Sequence, residues 1–346
     1  MKVLHVLASN KYSGAENVAC QIIDMFKNDR DIEMAYCSPE GSISETLKDK
    51  NILYIPIKKL SLSEIKKVIK EYNPDVIHCH DLKAVVVCSN FKNIKKIAHI
   101  HVNHPKMSKL SLRSIIAKYA LKKSNHIFWV SDSCFNDFIF KKSFKSKSDV
   151  LNNIISIEDL EKKIDKDREK YEYDVVYCGR LTEQKNPMRM IDIFEKLKLK
   201  KQNVKIVVCG NGDLFDDFKN EIKNRGLEDN VQMLGFVANP FDIIFHSKIM
   251  ILTSYFEGTP MTALESLALG TPIVSTNIDG MKKLITNGYN GYLYETNEEA
   301  VEIIIDLINN EQKLLKLKKE AKDFSEKYND KKTYKSILCE KYEELL

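Results

Sequence analysis

Short apolar runs alternate with segments of helical apolar spacing along most of the chain, and this alternation constrains the fold more than any other feature. In the first half it extends from a predicted strand at Lys2–Leu7 to another at Asp149–Leu151. It resumes at Tyr173–Tyr177 and continues to Tyr292–Tyr294. Strand–helix alternation predicts a parallel sheet with helices on both faces. The sequence therefore predicts an α/β fold with two such sheets.

The length of the chain predicts two domains. A chain of 346 residues is longer than one hydrophobic core usually organises. The charged stretch 156–171 lacks apolar alternation and is the predicted linker. The first domain is then 1–155 and the second 172–329, and a final helix at about 330–346 is expected to pack back on the first domain.

Composition narrows the class of protein. With 43% hydrophobic and 30% charged residues, the chain is expected to be soluble and globular. No run approaches the roughly 20 apolar residues that span a bilayer, and the first residues resemble a strand more than a signal peptide. The eight cysteines include no C-x-x-C pair. Several lie in apolar runs, which favours a reducing, cytoplasmic location.

Two glutamates with seven residues between them, Glu257 and Glu265, are the strongest local signal. A tight turn at Gly258–Pro260 separates the first glutamate from a helix predicted over Met261–Leu269, with Pro260 suited to its first position. Carboxylates suit sugar hydroxyls because they accept two hydrogen bonds. The alternative is a pair of surface glutamates on a helix.

The segment between the two carboxylates can bind an anion. The first amides of a helix have no intrahelical partner and favour negative charge. A diphosphate flanked by two hydroxyl-rich groups, as in a nucleotide sugar, matches this layout. The predicted donor-binding segment consists of Gly258, Thr259, Pro260, Met261 and Thr262.

Two cations follow the strand that ends at Gly179. Arg180 can bind phosphate oxygens bidentately, whereas Lys185 acts as a point charge. Without a metal ion, such cations would stabilise a departing nucleoside diphosphate, each pair being worth up to ~4 kcal/mol before desolvation. An ordinary solvated Arg and Lys is the alternative.

Glycines after two other predicted strands would allow the backbone to approach a nucleotide or a sugar closely. Gly210 and Gly212 follow one strand but do not complete a dinucleotide fingerprint, so a plain turn is an open alternative. Gly14 lies between the first strand and the first helix, where a phosphate or a sugar could approach. A plain loop glycine explains Gly14 equally well.

Histidines cluster near predicted strand ends, as His78, His80, His99, His101 and His104. The pairs HCH and HIH resemble metal pairs, but no third ligand is evident, so buried or cleft histidines are favoured. The best placed to meet a substrate is His101. The two D-x-D motifs lie in charged stretches and are interpreted as solvated charge. No metal site is predicted.

A stretch from Phe91 to Ser131 contains nine Lys/Arg and no Asp/Glu. Its segment SKLSLRSIIAKYALKK is helical, basic and apolar on one face, which predicts binding to an anionic membrane at about 1 kcal/mol per basic side chain. A core helix with a solvated basic face is the alternative, and nucleic acid is a poorer partner. The basic residues assigned to the membrane or acceptor side are Lys109, Arg113, Lys118, Lys122 and Lys123.

Several segments of the second half, taken in order, resemble glycosyltransferase family 4: GRLTEQKNP, GNGD, LGFV, SYFEGTPMTALESLALGTPIVSTNIDG and NGYNGYLY. SGAEN, DVIHCHD, HIHVNH and VSDS resemble it more loosely. The resemblance implies the GT-B fold, in which two Rossmann-like domains face each other across a central cleft. It also implies a retaining enzyme that uses a nucleotide sugar, with UDP as the expected nucleotide.

The family pattern assigns roles by position. Glu265 would bind the ribose hydroxyls, and Glu257 would contact the donor sugar at the transfer site. Arg180 and Lys185 would hold the diphosphate, and the amides after Gly258 would complete the site. No metal or other cofactor is implied.

In the first domain, the resemblance implies that Gly14 faces the donor phosphate and that His101 lies near the transferred sugar. No carboxylate of that domain stands out as a nucleophile. This chain departs from the family at Asp279–Lys283, where a cationic pair replaces the usual Gly and Glu, and at Asn153-Ile154. Neither departure removes a donor residue.

Other functions are weaker candidates. A GT-B epimerase would interconvert free nucleotide sugars, and a non-catalytic partner subunit would bind them without transfer. Phosphorylases of this fold are larger, and an NAD-dependent oxidoreductase would need the dinucleotide fingerprint. The prediction is therefore transfer of a hexose or N-acetylhexosamine to a glycan or lipid-linked acceptor at the inner face of the cell membrane, in surface polysaccharide, lipopolysaccharide or glycolipid synthesis.

Overall fold

The computed structural model describes residues 1–101, 104–165 and 172–346. The chain divides into two compact units. The first comprises Met1–Ile154 and Asp330–Leu346, and the second comprises Ile155–Asn329. Each unit contains one parallel sheet, which confirms the predicted α/β fold.

The first unit has a seven-stranded sheet of order β3-β2-β1-β4-β5-β6-β7, within the described part of the chain. Every neighbouring pair is parallel. The inner strands are buried along almost their whole length, as expected for a sheet covered on both faces. The strands are β1 Lys2–Val6, β2 Glu33–Pro39, β3 Tyr54–Ile57, β4 Val76–Cys79, β5 Lys95–Ile100, β6 His126–Trp129 and β7 Ser148–Val150.

Several helices of this unit begin at a side chain that caps them. Ser61, Asp81 and Ser111 each accept a hydrogen bond from a backbone amide in the first turn of their helix. Three short helices were not predicted, since five to seven residues give little periodicity. The helices are α1 Gly14–Phe26, α2 Ile43–Asp49, α3 Leu62–Tyr72, α4 Leu82–Cys88, α5 Leu112–Lys122 and α6 Asp132–Asn136.

The second unit has a six-stranded parallel sheet of order β10-β9-β8-β11-β12-β13 in the part that the structure describes. Its central strand β8 is buried at every position, consistent with its apolar sequence YDVVYC. The strands are β8 Tyr173–Cys178, β9 Ile206–Cys209, β10 Val231–Gly235, β11 Ser247–Leu252, β12 Ile273–Thr276 and β13 Gly291–Tyr294.

The helices of the second unit follow the chain order α7 Ile157–Glu161, α8 Pro187–Lys200, α9 Phe215–Asn224, α10 Phe241–Phe245, α11 Met261–Ala268, α12 Asp279–Lys282, α13 Asn297–Asn309 and α14 Glu311–Tyr328. The last helix, α15 Lys331–Glu343, belongs to the first unit. None of the helices in the described ranges is long and apolar enough to span a bilayer.

The predicted linker and the last helix both lie near boundaries between the two units. In the predicted linker, residues 156–165 belong to the second unit and include α7, while 166–171 lie outside the described residues. At the other end, α15 packs on α1. Tyr342 lies edge-on to Phe26 with ring centroids 6.0 Å apart, and Lys335 pairs with Asp29 at 3.1 Å.

Candidate functional site

The cations and the carboxylate predicted for donor binding lie at one point of the second sheet. In an open α/β sheet the ligand crevice lies where the strand order reverses. Here that point is between β8 and β11, because β9 and β10 continue on one side and β12 and β13 on the other. Arg180 and Lys185 follow β8, and Glu257 follows β11. Tertiary structure therefore brings together residues that are more than 70 positions apart in sequence.

Glu257 is held by several groups. Its Oε1 accepts a hydrogen bond from Ser254 Oγ at 2.7 Å and pairs with Lys185 Nζ. Gln184 Nε2 donates to Phe256 O at 3.0 Å and lies 3.4 Å from Glu257 Oε2. The Lys185 and Glu257 side chains are only 12% and 9% exposed. Because this ion pair is largely desolvated, removing either partner would leave a buried charge.

Arg180 differs from Lys185 in its surroundings. Its side chain is exposed, and among the described residues its guanidinium has no carboxylate partner. Its backbone is fixed by Tyr177 Oη, which donates to Arg180 O at 3.0 Å. Lys185 is engaged by Glu257, so it could contact a phosphate only by sharing that interaction. Arg180 is therefore the more available cation.

The glycines of the loop after β9 are required by packing. A Cβ on Gly210 would lie 1.8 Å from Gly179 O, and one on Gly212 would lie 2.3 Å from Leu181 O. Backbone contacts of this kind leave no room for any side chain. The loop after β9 is thus packed directly on the loop that carries Arg180. This contact explains Gly210 and Gly212 independently of any role in donor binding.

The helix α11 begins at Met261, as predicted. Pro260 has φ −68° and ψ 124°, which makes it the N-cap and not the first helical residue, so that detail of the prediction is wrong. The extended ψ turns its carbonyl toward Ala263 N and Leu264 N, at 3.1 and 3.3 Å. The positive end of the helix dipole therefore lies at Met261 and Thr262.

Two polar side chains of α11 are shielded from solvent. Thr262 Oγ1 is inaccessible and has no hydrogen-bond partner in the described part of the chain. Glu265 is 7% exposed, one turn into the helix. Burial raises the pKa of Glu265 to about 7, against a smaller opposing effect of Lys163. This carboxylate is therefore poised between its two protonation states near neutral pH.

The turn after Glu257 is also contacted from α12. A Cβ on Gly280 would lie 2.3 Å from Gly258 O, so these two backbones are in close contact. The departure from the family pattern follows immediately, and Lys282 Nζ pairs with Asp279 Oδ1 at 2.9 Å. Its charge is therefore partly neutralised within the helix.

In the first unit, Gly14 is the exposed first residue of α1. Ser13 precedes it in extended conformation, and Ser13 Oγ donates to Glu16 Oε2 at 2.5 Å. Glu16 is only 3% exposed, and burial raises its pKa. The structure thus places a buried carboxyl group two residues after Gly14.

The histidines near the carboxyl ends of the strands form one cluster, which we call the histidine cluster: His5, His78, His80, His99 and His101. The expectation that the pairs on β4 and β5 are buried is confirmed for His78, His80 and His99. The expectation that no third ligand accompanies them is wrong, because the strand order β1-β4-β5 places three imidazoles within ligand distance.

The half-buried His101 follows β5 directly, and its Nε2 lies 3.1 Å from His80 Nδ1. Burial lowers the pKa of His5 and of His101 to about 3. The pKa values of His78, His80 and His99 are also well below the usual range, chiefly through burial and also through repulsion by neighbouring imidazoles. These imidazoles are therefore neutral at physiological pH.

The helix α5 exposes its large apolar side chains. Its buried face consists of Ser114, Ala117, Ala120 and Leu121. The exposed face of α5 and a leucine two residues before the helix carry apolar side chains that are 41% to 75% exposed: Leu110, Leu112, Ile115, Ile116 and Tyr119. The predicted basic residues Lys109, Arg113, Lys118 and Lys122 are exposed, and Lys123 is half-buried with its Nζ over the Tyr119 ring. This combination is called the α5 surface below.

Several side chains that contact the predicted site residues were not predicted from the sequence. Ser254 lies three residues before Glu257, a spacing that could have suggested a local hydrogen bond. Ser13 and Glu16 have the S-x-x-E spacing of a capping box. Gln184 has no such signal, because its contact with Glu257 depends on the pairing of β8 with β11.

Comparison with known families gives the class of protein. Residues 158–324 match the family described as glycosyl transferases group 1, and residues 5–131 match glycosyl transferase 4-like proteins. A crystal structure of HepE from Anabaena in complex with UDP-glucose has a TM-score of 0.85 with 22% identity, covering 99% of this chain and all of that chain. The fold is therefore GT-B.

Two relatives extend the comparison. An uncharacterized glycosyltransferase of Methanocaldococcus jannaschii is 30% identical over 255 residues, which is 66% of this chain and 62% of the relative's length. The UDP-Gal:alpha-D-GlcNAc-diphosphoundecaprenol alpha-1,3-galactosyltransferase of Escherichia coli is 24% identical over 333 residues, covering 86% of this chain and 85% of the relative. The chain is a GT-B glycosyltransferase.

Proposed function

We propose that this protein is a retaining family 4 glycosyltransferase that transfers a hexose or N-acetylhexosamine from a UDP-sugar to a glycan or lipid-linked acceptor. The buried Glu257–Lys185 pair beside Arg180, at the reversal point of the second sheet, is the observation that carries the proposal. The name of the E. coli relative supports a UDP donor and a diphospholipid-linked acceptor. The pathway would be surface polysaccharide, lipopolysaccharide or glycolipid synthesis.

Within the second unit, each donor group has a proposed partner. Glu265 accepts the ribose hydroxyls, and the amides at the start of α11 together with Arg180 bind the diphosphate. Glu257 contacts the sugar, where a carboxylate stabilises positive charge at the anomeric carbon during transfer. Because Arg180 and the helix dipole neutralise the leaving group, the diphosphate needs no metal ion.

In the first unit, Gly14 leaves space for the donor phosphate, since it has no side chain at the start of α1. A role for His101 beside the transferred sugar is supported by its position immediately after β5 and by its neutral imidazole, which can accept or donate a hydrogen bond.

A non-catalytic sugar-nucleotide-binding subunit is the second candidate. Nucleotide binding alone would require Arg180, Glu265 and the start of α11. It would not require the desolvated pair of Lys185 and Glu257, because a buried ion pair gives little net stability. The buried Glu257 carboxylate beside Arg180 therefore favours an enzyme over a binding subunit.

A donor screen tests the proposed function. Purified protein would be incubated with UDP-hexoses and UDP-N-acetylhexosamines, with and without polyprenyl-diphosphate-linked saccharides, in the presence of EDTA. We expect acceptor-dependent release of UDP, and NMR of the first product should show retained anomeric configuration. Interconversion of free UDP-sugars without an acceptor would instead identify an epimerase. Binding without turnover would identify a partner subunit.

The α5 surface supports a peripheral location on an anionic membrane, at the cytoplasmic face. Exposed Leu112, Ile115, Ile116 and Tyr119 can enter the headgroup region, and the flanking cations each contribute about 1 kcal/mol near an anionic surface. The core-helix alternative is less well supported, because only small side chains and Leu121 form the buried face of α5.

We expect the double variant Leu112→Glu/Ile115→Glu to lose membrane binding. Carboxylates at these exposed positions would be repelled by anionic lipid and would resist burial. Flotation with phosphatidylglycerol vesicles at low salt should retain the wild type and release this variant. Leu199→Glu is the matched control, because Leu199 is an 82% exposed leucine in the second unit. Failure of the wild type to float with anionic vesicles would contradict membrane binding.

A further inference from the structure

We propose that His80, His99 and His101 form a binding site for a borderline divalent transition-metal ion, with Zn²⁺ as the best match. The ligand-capable atoms of these three imidazoles lie within 4.8 Å of one another in the first unit. The diphosphate-binding groups proposed above belong to the second unit, and His101 is the one residue of this metal site that is also assigned a role in sugar transfer.

Short contacts between ring nitrogens link His101, His80 and His5 into one row of the histidine cluster. His101 Nε2 lies 3.1 Å from His80 Nδ1, His80 Nε2 lies 2.8 Å from His5 Nδ1, and His5 Nε2 lies 3.4 Å from Met34 Sδ. If the N–H groups point from His101 toward Met34, each ring N–H has an acceptor. His101 Nδ1 is then a bare lone pair.

The opposite direction of this row is unfavourable. It would make His101 Nδ1 a protonated donor, and that atom is inaccessible and has no partner within the described ranges. That direction also gives up the hydrogen bond to Met34 Sδ, because His5 Nε2 is then a lone pair that faces the sulfur. The tautomer with a free lone pair on His101 Nδ1 is therefore preferred.

A second row of the histidine cluster can present a second lone pair. His99 Nδ1 lies 3.3 Å from His78 Nε2, and His78 Nδ1 lies 2.7 Å from Tyr342 Oη. With the ring N–H groups pointing toward Tyr342, His99 Nε2 is a lone pair; if Tyr342 Oη instead donates to His78 Nδ1, metal binding shifts both imidazoles to the other neutral tautomer. His99 Nε2, too, is inaccessible and has no partner in the part of the chain that is described.

The two lone pairs belong to adjacent rings. The His99 and His101 ring centroids are 4.3 Å apart, and the His80 ring is 5.4 and 5.3 Å from them. Tetrahedral zinc with Zn–N bonds of about 2.0–2.1 Å places its ligand nitrogens ~3.4 Å apart, so side-chain shifts of roughly 1 Å would complete the site. Coordination by His80 requires it to give up one of its two hydrogen bonds.

The ligand set selects the class of metal. Neutral imidazole binds Zn²⁺, Ni²⁺ and Cu²⁺ far better than Mg²⁺ or Ca²⁺, which require oxygen ligands. Three imidazoles leave a fourth position open for water or another ligand. His101 is half-buried, unlike the fully buried His80 and His99, and so provides the route by which the ion enters.

The test measures metal binding without reference to sugar transfer. Full-length protein would be stripped with a chelator, dialysed and titrated with Zn²⁺ or Co²⁺. We expect one ion per chain by mass spectrometry, a higher melting temperature with Zn²⁺, and the intense visible bands of four-coordinate Co²⁺. His99→Gln and His101→Gln should each weaken binding at least tenfold. These measurements need no sugar donor or acceptor. A failure to bind metal would therefore not count against the proposed sugar transfer, and a failure of sugar transfer would not count against the metal site.

His126→Gln is the matched control. His126 is a buried histidine on the adjacent strand β6 but pairs with Asp149 at 3.2 Å, outside the cluster. It should bind the metal as the wild type does, and circular dichroism of all metal-free variants would establish that they are folded. Absence of stoichiometric Zn²⁺ or Co²⁺ in the wild type would overturn the proposal. Unchanged affinity in folded His99→Gln and His101→Gln would do the same.

Discussion

Replacing Glu257 with glutamine is expected to lower the turnover of sugar transfer by at least about 100-fold, while affinity for UDP stays within about threefold of wild type. The variant removes the negative charge that would face the sugar. It retains an oxygen that can accept the hydrogen bond from Ser254. UDP lacks the transferred sugar that Glu257 would contact, so UDP binding does not depend on this carboxylate. Initial rates and isothermal titration with UDP would measure the two effects.

Glutamine is preferred to alanine because of Lys185. That lysine is 12% exposed and is paired with Glu257, so truncation to alanine would leave a buried cation without any acceptor. Glu298→Gln is the matched control, since it removes a carboxylate paired with Lys196 at 2.6 Å at an exposed site of the same unit. Unchanged turnover in Glu257→Gln would show that the assigned role of Glu257 is wrong.

Glu265→Gln is expected to raise the melting temperature of the protein at pH 8 and to change it little at pH 5. The folded-state pKa of Glu265 is about 7, above its ordinary value of 4.5, because burial penalises the charged form. Below pH 4.5 the carboxyl group is protonated in both states. As pH rises from 4.5 to about 7, the unfolded state is favoured by its ionised carboxylate, so the stability of the folded state falls by a few kcal/mol and then levels off. Glutamine removes this pH-dependent loss.

The same substitution should weaken UDP binding. A ribose hydroxyl donates best to an ionised carboxylate, so the UDP affinity of the wild type should rise between pH 6 and pH 8, by up to roughly tenfold. The Glu265→Gln variant should bind more weakly at pH 8 and show a flatter pH profile. Melting curves and UDP titrations at both pH values would measure this. A variant whose UDP affinity matches wild type at pH 8 would exclude Glu265 from the ribose site.

The succession of strands and long helices along the chain was predictable from the local apolar pattern. Strand β8 is strongly patterned, so its predicted start at Tyr173 matches the structure. Short helices such as α6 were missed, because five residues contain little more than one turn. Pro260 was expected to suit the first helical position but is the N-cap of α11, since its ψ angle is decided by its turn and not by its ring.

The candidate site was only partly predictable. Glu257 and Glu265 are close in sequence, and their local spacing was enough to suggest a donor site. The pairing of Lys185 with Glu257 was not predicted, because these residues meet only through the adjacency of β8 and β11. For the same reason His5 was overlooked, although it pairs with His78 in the register of β1 and β4.

The sequence by itself determined the α/β class, the two sheets and the residue types available for donor binding, because these follow from short-range periodicity and from motifs within single segments. Only the tertiary structure decided which of those residues meet. Strand order at the β8/β11 reversal joins Lys185 to Glu257, and the adjacency of β1, β4 and β5 assembles the histidine cluster. Burial, which raises the pKa of Glu265 and keeps the imidazoles neutral, arises from packing between segments distant in sequence.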